Sequence, residues 1–222
     1  MNNISTNPTI SVIVPTRNGA DTLGDFFAAL NKQHVRPDEI LVGDSSSEDE
    51  TVALCRAAGA KVSILEKEAF DHGGTRTELA KQARGTILVF FTQDAILASR
   101  DALQLLIAPL LLHEQVACAY GRQLPGKNAN PIAAHLRLFN YPPESSVRNY
   151  ADRSRYGLKT IFISNSFAAY KKDRLSEYGF FKNGLIFGED TCTLGRILAA
   201  GHEVAYFAEA AVYHSHNYSL GQ

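Results

Sequence analysis

The sequence is poor in the features that build covalent or metal frameworks. It has only three cysteines, Cys55, Cys118 and Cys192, widely spaced and without a CxxC pair. That excludes a disulfide scaffold and a zinc ribbon, and fits a reducing cytoplasm. Charge of one sign is also lacking: 22 Lys and Arg stand against 23 Asp and Glu, a net of -1, so no overall field gathers nucleic acid. No apolar run reaches the ~18 residues of a membrane-spanning helix. The longest, Leu103 to Leu112, is interrupted by Gln104 and Pro109. The start, MNNISTNPTI, has no basic segment leading into an apolar one, so no signal peptide is expected. Internal repeats, low-complexity tracts and linkers are absent as well. Neither common nucleotide fingerprint occurs: there is no GxxxxGK[ST] and no GxGxxG. This weighs against a P-loop NTPase and a dinucleotide dehydrogenase.

What is present is ordinary globular composition, 45% hydrophobic and 20% charged in 222 residues, enough for one substantial domain. Thr9–Val14, Glu39–Gly43, Lys61–Leu65, Thr86–Phe91 and Val116–Tyr120 read as short buried strands. Between them, Asp21–Gln33, Glu50–Ala58, Glu78–Arg84 and Arg100–His113 read as helices, with Pro131–Asn140 following and Asp21 as an N-cap of the first. A further helix opens at Glu189 and runs to Ala200. The alternation predicts an α/β fold with a mainly parallel central sheet and helices on both faces. A single domain over 1–222 is expected, with a nucleotide-binding half at about 9–121 and an acceptor-side half at about 122–219.

Ligands of such sheets bind beyond the carboxyl ends of the strands. Four polar segments lie there: Pro15-Thr16-Arg17-Asn18-Gly19, Asp44 to Asp49, Asp71-His72-Gly73-Gly74-Thr75-Arg76, and Thr92-Gln93-Asp94-Ala95. Together they supply acceptors for a base or ribose, amides and arginine for phosphates, and a carboxylate for a divalent ion. Arg76, after a glycine pair and before a helix, suits a diphosphate. His72 reads either as a supporting hydrogen bonder or as a structural loop histidine, and Asp49 as a helix cap. His214 and His216, two residues apart, read equally as a metal pair or as polar loop residues.

These segments carry a resemblance. SVIVPTRNGADTL, ILVGDSSSEDET, the Asp94 strand end and Gly188-Glu189-Asp190 resemble the family 2 inverting glycosyltransferases of GT-A (Rossmann-like) fold. Phe70 to Arg76, Thr92 to Ala95, Asn140-Tyr141-Pro142, Ser164 to Tyr170 and Tyr213 to Ser219 look like the bacterial rhamnosyltransferase branch. The likeness runs in order from about Ile10 to Ser219.

The resemblance implies transfer of a sugar, rhamnose from a dTDP-linked donor, to a glycan or glycolipid hydroxyl in polysaccharide synthesis. It places Pro15, Thr16, Arg17, Asp44, His72, Gly73, Gly74, Arg76, Gln93 and Asp94 around the nucleotide sugar, with Asp44 on the base. It makes Asp190 the general base, Glu189 the residue orienting the acceptor, and Ser164 and Asn165 parts of the acceptor pocket. Asp94 and His214 would hold Mg²⁺ or Mn²⁺. Two departures stand out. The usual Asp-x-Asp is reduced to Gln93-Asp94-Ala95, and Thr77 replaces the more frequent Asn after the arginine.

Arg122 to Arg174 holds ten Lys and Arg against Glu144, Asp152 and Asp173, with Leu136, Leu138, Phe139 and Tyr141 among them. Such a segment reads as a solvated face or as a contact for a lipid-diphosphate acceptor at the cytoplasmic leaflet. A nucleotide-sugar-binding module and a sugar nucleotidyltransferase are the rival readings. The latter is ill served by Pro15-Thr16-Arg17, where a Gly-rich loop belongs. Because Gln222 follows soon after the histidine pair, a minimal catalytic core or a truncated chain is expected.

Overall fold

The computed structural model describes residues 8–67 and 70–214. Among these residues nine strands form one sheet in the order β3-β2-β1-β4-β8-β6-β9-β5, with β7 pairing β9. They are β1 (Ile10–Thr16), β2 (Glu39–Asp44), β3 (Lys61–Ile64), β4 (Ile87–Phe91), β5 (Ile96–Leu97), β6 (Val116–Leu124), β7 (Ser146–Arg148), β8 (Phe167–Lys171) and β9 (Glu203–Tyr213). The helices are α1 (Ala20–Asn31), α2 (Thr51–Ala57), α3 (His72–Gln82), α4 (Ala102–Leu112), α5 (Pro131–Asn140), α6 (Arg153–Tyr156), α7 (Lys172–Glu177) and α8 (Glu189–Ala199).

The first four strands in space are parallel, as the strand–helix alternation predicts. The other half is not. β8 runs antiparallel to both β4 and β6, and β5 and β7 run antiparallel to β9, leaving β6–β9 as the remaining parallel pair. The sheet therefore has the expected parallel half, with antiparallel pairings added in the other half.

Period-two alternation along β4 shows how the layers form. Val89 and Phe91 face one core with Leu23, Phe26 and Leu30 of α1 and Leu103, Leu106 and Leu110 of α4. Leu88 and Phe90 face the other with Leu79 of α3 and Leu194, Ile197 and Leu198 of α8. β4 is wholly buried because both faces are covered.

Two helix starts differ from the sequence reading. Gly19, not Asp21, is the N-cap of α1, and Asp21 sits in the first turn. Helix α3 begins at His72 rather than Glu78, so Gly73, Gly74 and Arg76 are helical. The glycine pair does not break the helix; it lets the helix pack. A Cβ on Gly73 would lie 2.0 Å from the Lys182 carbonyl oxygen. Asp71 caps α3 by accepting from Gly74 N at 2.5 Å and ties in the distant loop through Gly184 N at 2.8 Å.

Candidate active site

The loops after β1 and β2 are locked together by Asp44. Its carboxylate accepts from Thr16 Oγ1 at 2.8 Å, Ser47 N at 2.9 Å and Ser47 Oγ at 2.6 Å. Asp44 is fully buried. Asp44 thus ties the two loops together at the floor of the crevice, the place where the resemblance implies a contact to the base. Gln93 is likewise engaged with protein: it accepts from Arg17 N at 2.9 Å and donates to Arg17 O at 3.0 Å. This clamp sets the loop from Pro15 to Gly19, and the Arg17 side chain is exposed. Glu50, not Asp49, is the N-cap of α2; Asp49, one residue earlier, accepts from Thr51 N at 3.0 Å and from Ala20 N at 3.1 Å, tying the helix start to α1.

Asp94 follows β4 and faces His214, Oδ2 to Nε2 at 3.3 Å. The other ring nitrogen, Nδ1, lies 2.9 Å from Gln123 Oε1. Because Gln123 Nε2 donates to Ser164 Oγ at 3.0 Å, its Oε1 faces the ring as an acceptor, which places a proton on Nδ1. Nε2 and the Asp94 carboxylate therefore stand side by side, a nitrogen and an oxygen ligand facing the same point. An imidazole and a carboxylate are a donor set suited to Mn²⁺ or Mg²⁺. No group of three or more His, Cys, Asp or Glu able to hold a metal occurs among the described residues. His214 comes directly after β9, not on it, and His216 lies outside the described residues.

The acceptor side is built on the first turn of α8. Gly188 is its N-cap with φ of 84°, a left-handed conformation that glycine adopts without strain. Glu189 is buried and accepts from Arg76 Nη1 at 3.0 Å. Arg76 also donates to the His72 carbonyl at 3.2 Å and is only 4% exposed. The guanidinium read from the sequence as a diphosphate contact forms a buried ion pair with Glu189 and lines the same pocket. His72 packs edge-on against Phe70, and burial and then Arg76 lower its pKa, keeping the ring neutral.

Asp190 accepts from Asn165 N at 3.1 Å and Thr191 N at 2.7 Å. Its pKa is nevertheless raised, first by burial and then by the Glu189 charge, which together outweigh the two amides and Arg76. Asn165 is 2% exposed, with Oδ1 taken by the Tyr170 hydroxyl at 2.9 Å and Nδ2 unpartnered. A pocket of about 190 Å³ is lined by His72, Arg76, Ser164, Asn165, Glu189 and Asp190, among others. A separate groove of about 770 Å³ is lined by Asp94 and His214 and runs along α1, Arg100 and Lys127. The smaller pocket, not the larger groove, contains the paired acids.

Gln123 escaped the sequence reading, and Tyr170, though part of the Ser164 to Tyr170 motif, was given no role there. The usable signal for Gln123 was a polar residue in the buried phase of β6, where the pattern is otherwise apolar. The basic segment is also less open than its count implies. Arg148 is 5% exposed and donates to Tyr120 Oη at 2.9 Å, to Phe162 O at 2.8 Å and to Lys159 O. Among the described residues no helix is long and apolar enough to cross a membrane.

A parallel nucleotide-type crevice joined through a mixed sheet to an acidic pocket is the GT-A arrangement of sugar transferases. Solved structures share it. Mannosyltransferase PcManGT from Pyrobaculum calidifontis, in complex with GDP-Man and Mn²⁺, matches with TM-score 0.69 at 20% identity, over 95% of this chain and 58% of its own. S. aureus TarS matches with TM-score 0.72 at 23% identity, over 92% and 59%. The chain belongs to glycosyl transferase family 2, whose model matches residues 11–179. It is 41% identical over 212 residues to the O-antigen chain rhamnosyltransferase RfbN of Salmonella typhimurium, covering 95% of this chain and 67% of that one. It is 39% identical over 217 residues to the O-antigen chain rhamnosyltransferase WbaN of Salmonella anatum, covering 97% and 69%. The chain thus spans about two thirds of the length of these relatives and 58–59% of the first two structures.

Proposed function

We propose that this glycosyltransferase moves rhamnose from a dTDP-linked donor, with inversion, onto a hydroxyl of a glycan or lipid-linked glycan. The observation that carries the reading is the seat of Asp190, a carboxylate with raised proton affinity at the wall of a pocket, its orientation fixed by two backbone amides. Asp190 removes the acceptor hydroxyl proton as that oxygen attacks the anomeric carbon from the face opposite the nucleotide. The bond from that carbon to the diphosphate breaks, and its electron pair leaves with the nucleoside diphosphate. No covalent enzyme intermediate forms.

Glu189, fixed by Arg76, and the unpartnered Nδ2 of Asn165 orient the acceptor. Pro15, Thr16 and the exposed Arg17 border the nucleotide, with Asp44 and Gln93 holding that border in place. Asp94 and His214 are the residues to hold a divalent cation, which when bound neutralises charge on the leaving diphosphate. Its remaining ligands would have to come from outside these two side chains. The two rhamnosyltransferase relatives support the choice of sugar and of an O-antigen-type acceptor.

A cytoplasmic location with peripheral attachment to the inner leaflet fits the same reading. Helix α5 exposes Ile132, Leu136 and Phe139 along one face, with Lys159 Nζ 4.2 Å from the Phe139 ring centroid. A thermal-shift screen of dTDP-, UDP- and GDP-sugars with Mn²⁺ tests the donor. Selective stabilisation by dTDP-rhamnose is expected; a stronger response to a UDP or GDP sugar would overturn that assignment.

A further inference from the structure

Gln123 sits where the two ends of the site meet. It lies near the end of β6, is 1% exposed, and both ends of its amide are used. Oε1 meets His214 Nδ1 at 2.9 Å and Nε2 meets Ser164 Oγ at 3.0 Å. Beyond His214, Nε2 is 3.3 Å from Asp94 Oδ2. Beyond Ser164, the next residue's amide, Asn165 N, donates to Asp190 Oδ2 at 3.1 Å. One side chain therefore stands between the carboxylate of the donor end and the carboxylate of the acceptor end. Tyr141, the C-cap of α5, is buried nearby, and burial raises its hydroxyl to about 12, so it stays protonated.

A glutamine suits this place because it is the one neutral side chain of this length that accepts at one end and donates at the other. Accepting from Nδ1 keeps a proton on that nitrogen and so fixes the ring face and the nitrogen, Nε2, turned to Asp94. Donating to Ser164 fixes the loop that leads to Asn165. Glutamate could not donate without first taking up a proton. Burial of an amide with both ends satisfied is a stable arrangement, whereas half-satisfied burial is costly.

We propose that Gln123 is a positioning residue for sugar transfer: it holds His214 toward the cation-binding end and Ser164 toward the acceptor end, setting both with one amide. The assignment rests on the transferase reading given above. It touches neither substrate and acts through the residues it holds.

Three measurements on the 222-residue chain test it, and the first needs no variant. Long-range ¹H–¹⁵N NMR of the histidine rings should show neutral His214 as the Nδ1–H tautomer; an Nε2–H tautomer would overturn the proposal. Second, Gln123→Met keeps the volume and removes both bonds. Mn²⁺ affinity in the presence of dTDP, read from the EPR signal of free Mn²⁺, should weaken by about 10–100-fold. An affinity equal to the parent chain would overturn the proposal. Third, Ser164→Ala cuts only the acceptor branch. It should raise KM for the acceptor while leaving Mn²⁺ affinity as in the parent, and equal loss of Mn²⁺ affinity would show that the two branches are not separable at Gln123. If the parent chain transfers no sugar from any donor, the transferase reading fails at that step, before Gln123 is in question.

Discussion

Arg76 and Glu189 form an ion pair at 3.0 Å with 5% and 7% of their side-chain surfaces exposed. They stand 113 residues apart in the chain and join the second turn of α3 to the first turn of α8. The pair places a carboxylate next to the proposed base, and at Asp190 the Glu189 charge outweighs that of Arg76.

Because two desolvated charges are held only by each other and a few hydrogen bonds, removing one is worse than removing both. Glu189→Leu is expected to cost about 3–5 kcal/mol, and Arg76→Leu introduced beside it to recover most of that loss. Urea unfolding of the single and double variants checks this; losses that simply add would contradict it.

Asp190 gives a pH dependence of known sign. Its pKa in the folded chain is raised above the ordinary 3.8, so the folded state binds this proton more readily than the unfolded state. The ionised group therefore opposes folding at neutral pH, and the penalty is relieved as pH falls through the raised value. Asp190→Asn should melt higher than the parent chain near pH 7.5, by about 2–4 °C for each kcal/mol relieved. That advantage should shrink as the pH is lowered. Melting curves from pH 7.5 to 4.5 would show a constant or growing advantage if the assignment were wrong.

Gly73 predicts a steric effect. An alanine methyl there would meet the Lys182 carbonyl oxygen at 2.0 Å, and that oxygen belongs to backbone. Gly73→Ala should cost at least about 2 kcal/mol by overpacking, whereas the nearby Gly74→Ala meets only the Asp71 side chain at 3.1 Å and should cost less. Equal melting temperatures for the two variants would contradict the packing described.

The cation reading is tested by chelation. EDTA should abolish transfer, and Mn²⁺ or Mg²⁺ should restore it. Asp94→Ala should weaken Mn²⁺ binding with dTDP by about 10–100-fold or more. Full activity in EDTA would remove the cation from the mechanism.

The parallel half of the sheet was legible in the sequence because each strand there is a short β-branched or apolar run ended by polar residues, and the helices between them have apolar residues at helical spacing. The antiparallel half was not. β9 contains AYFAEAAV, alanine-rich and without clear alternation, and β8 is a five-residue run hidden behind Ser164-Asn165-Ser166. The start of α3 was obscured by Gly73 and Gly74, whose value lies in close approach to Lys182, a contact between distant segments that spacing does not encode. The candidate acids Glu189 and Asp190 could be named in advance. That Arg76 would be spent on Glu189, and that Gln123 would join His214 to Ser164, depend on tertiary contacts across 113, 91 and 41 residues.

The most direct test of the central claim is the rate of transfer from dTDP-rhamnose to a glycan acceptor by Asp190→Asn, measured beside its affinity for dTDP. The account predicts a fall of about 10²–10⁴-fold in kcat with dTDP affinity unchanged, since only the proton acceptor is lost. Turnover close to that of the parent chain would contradict it.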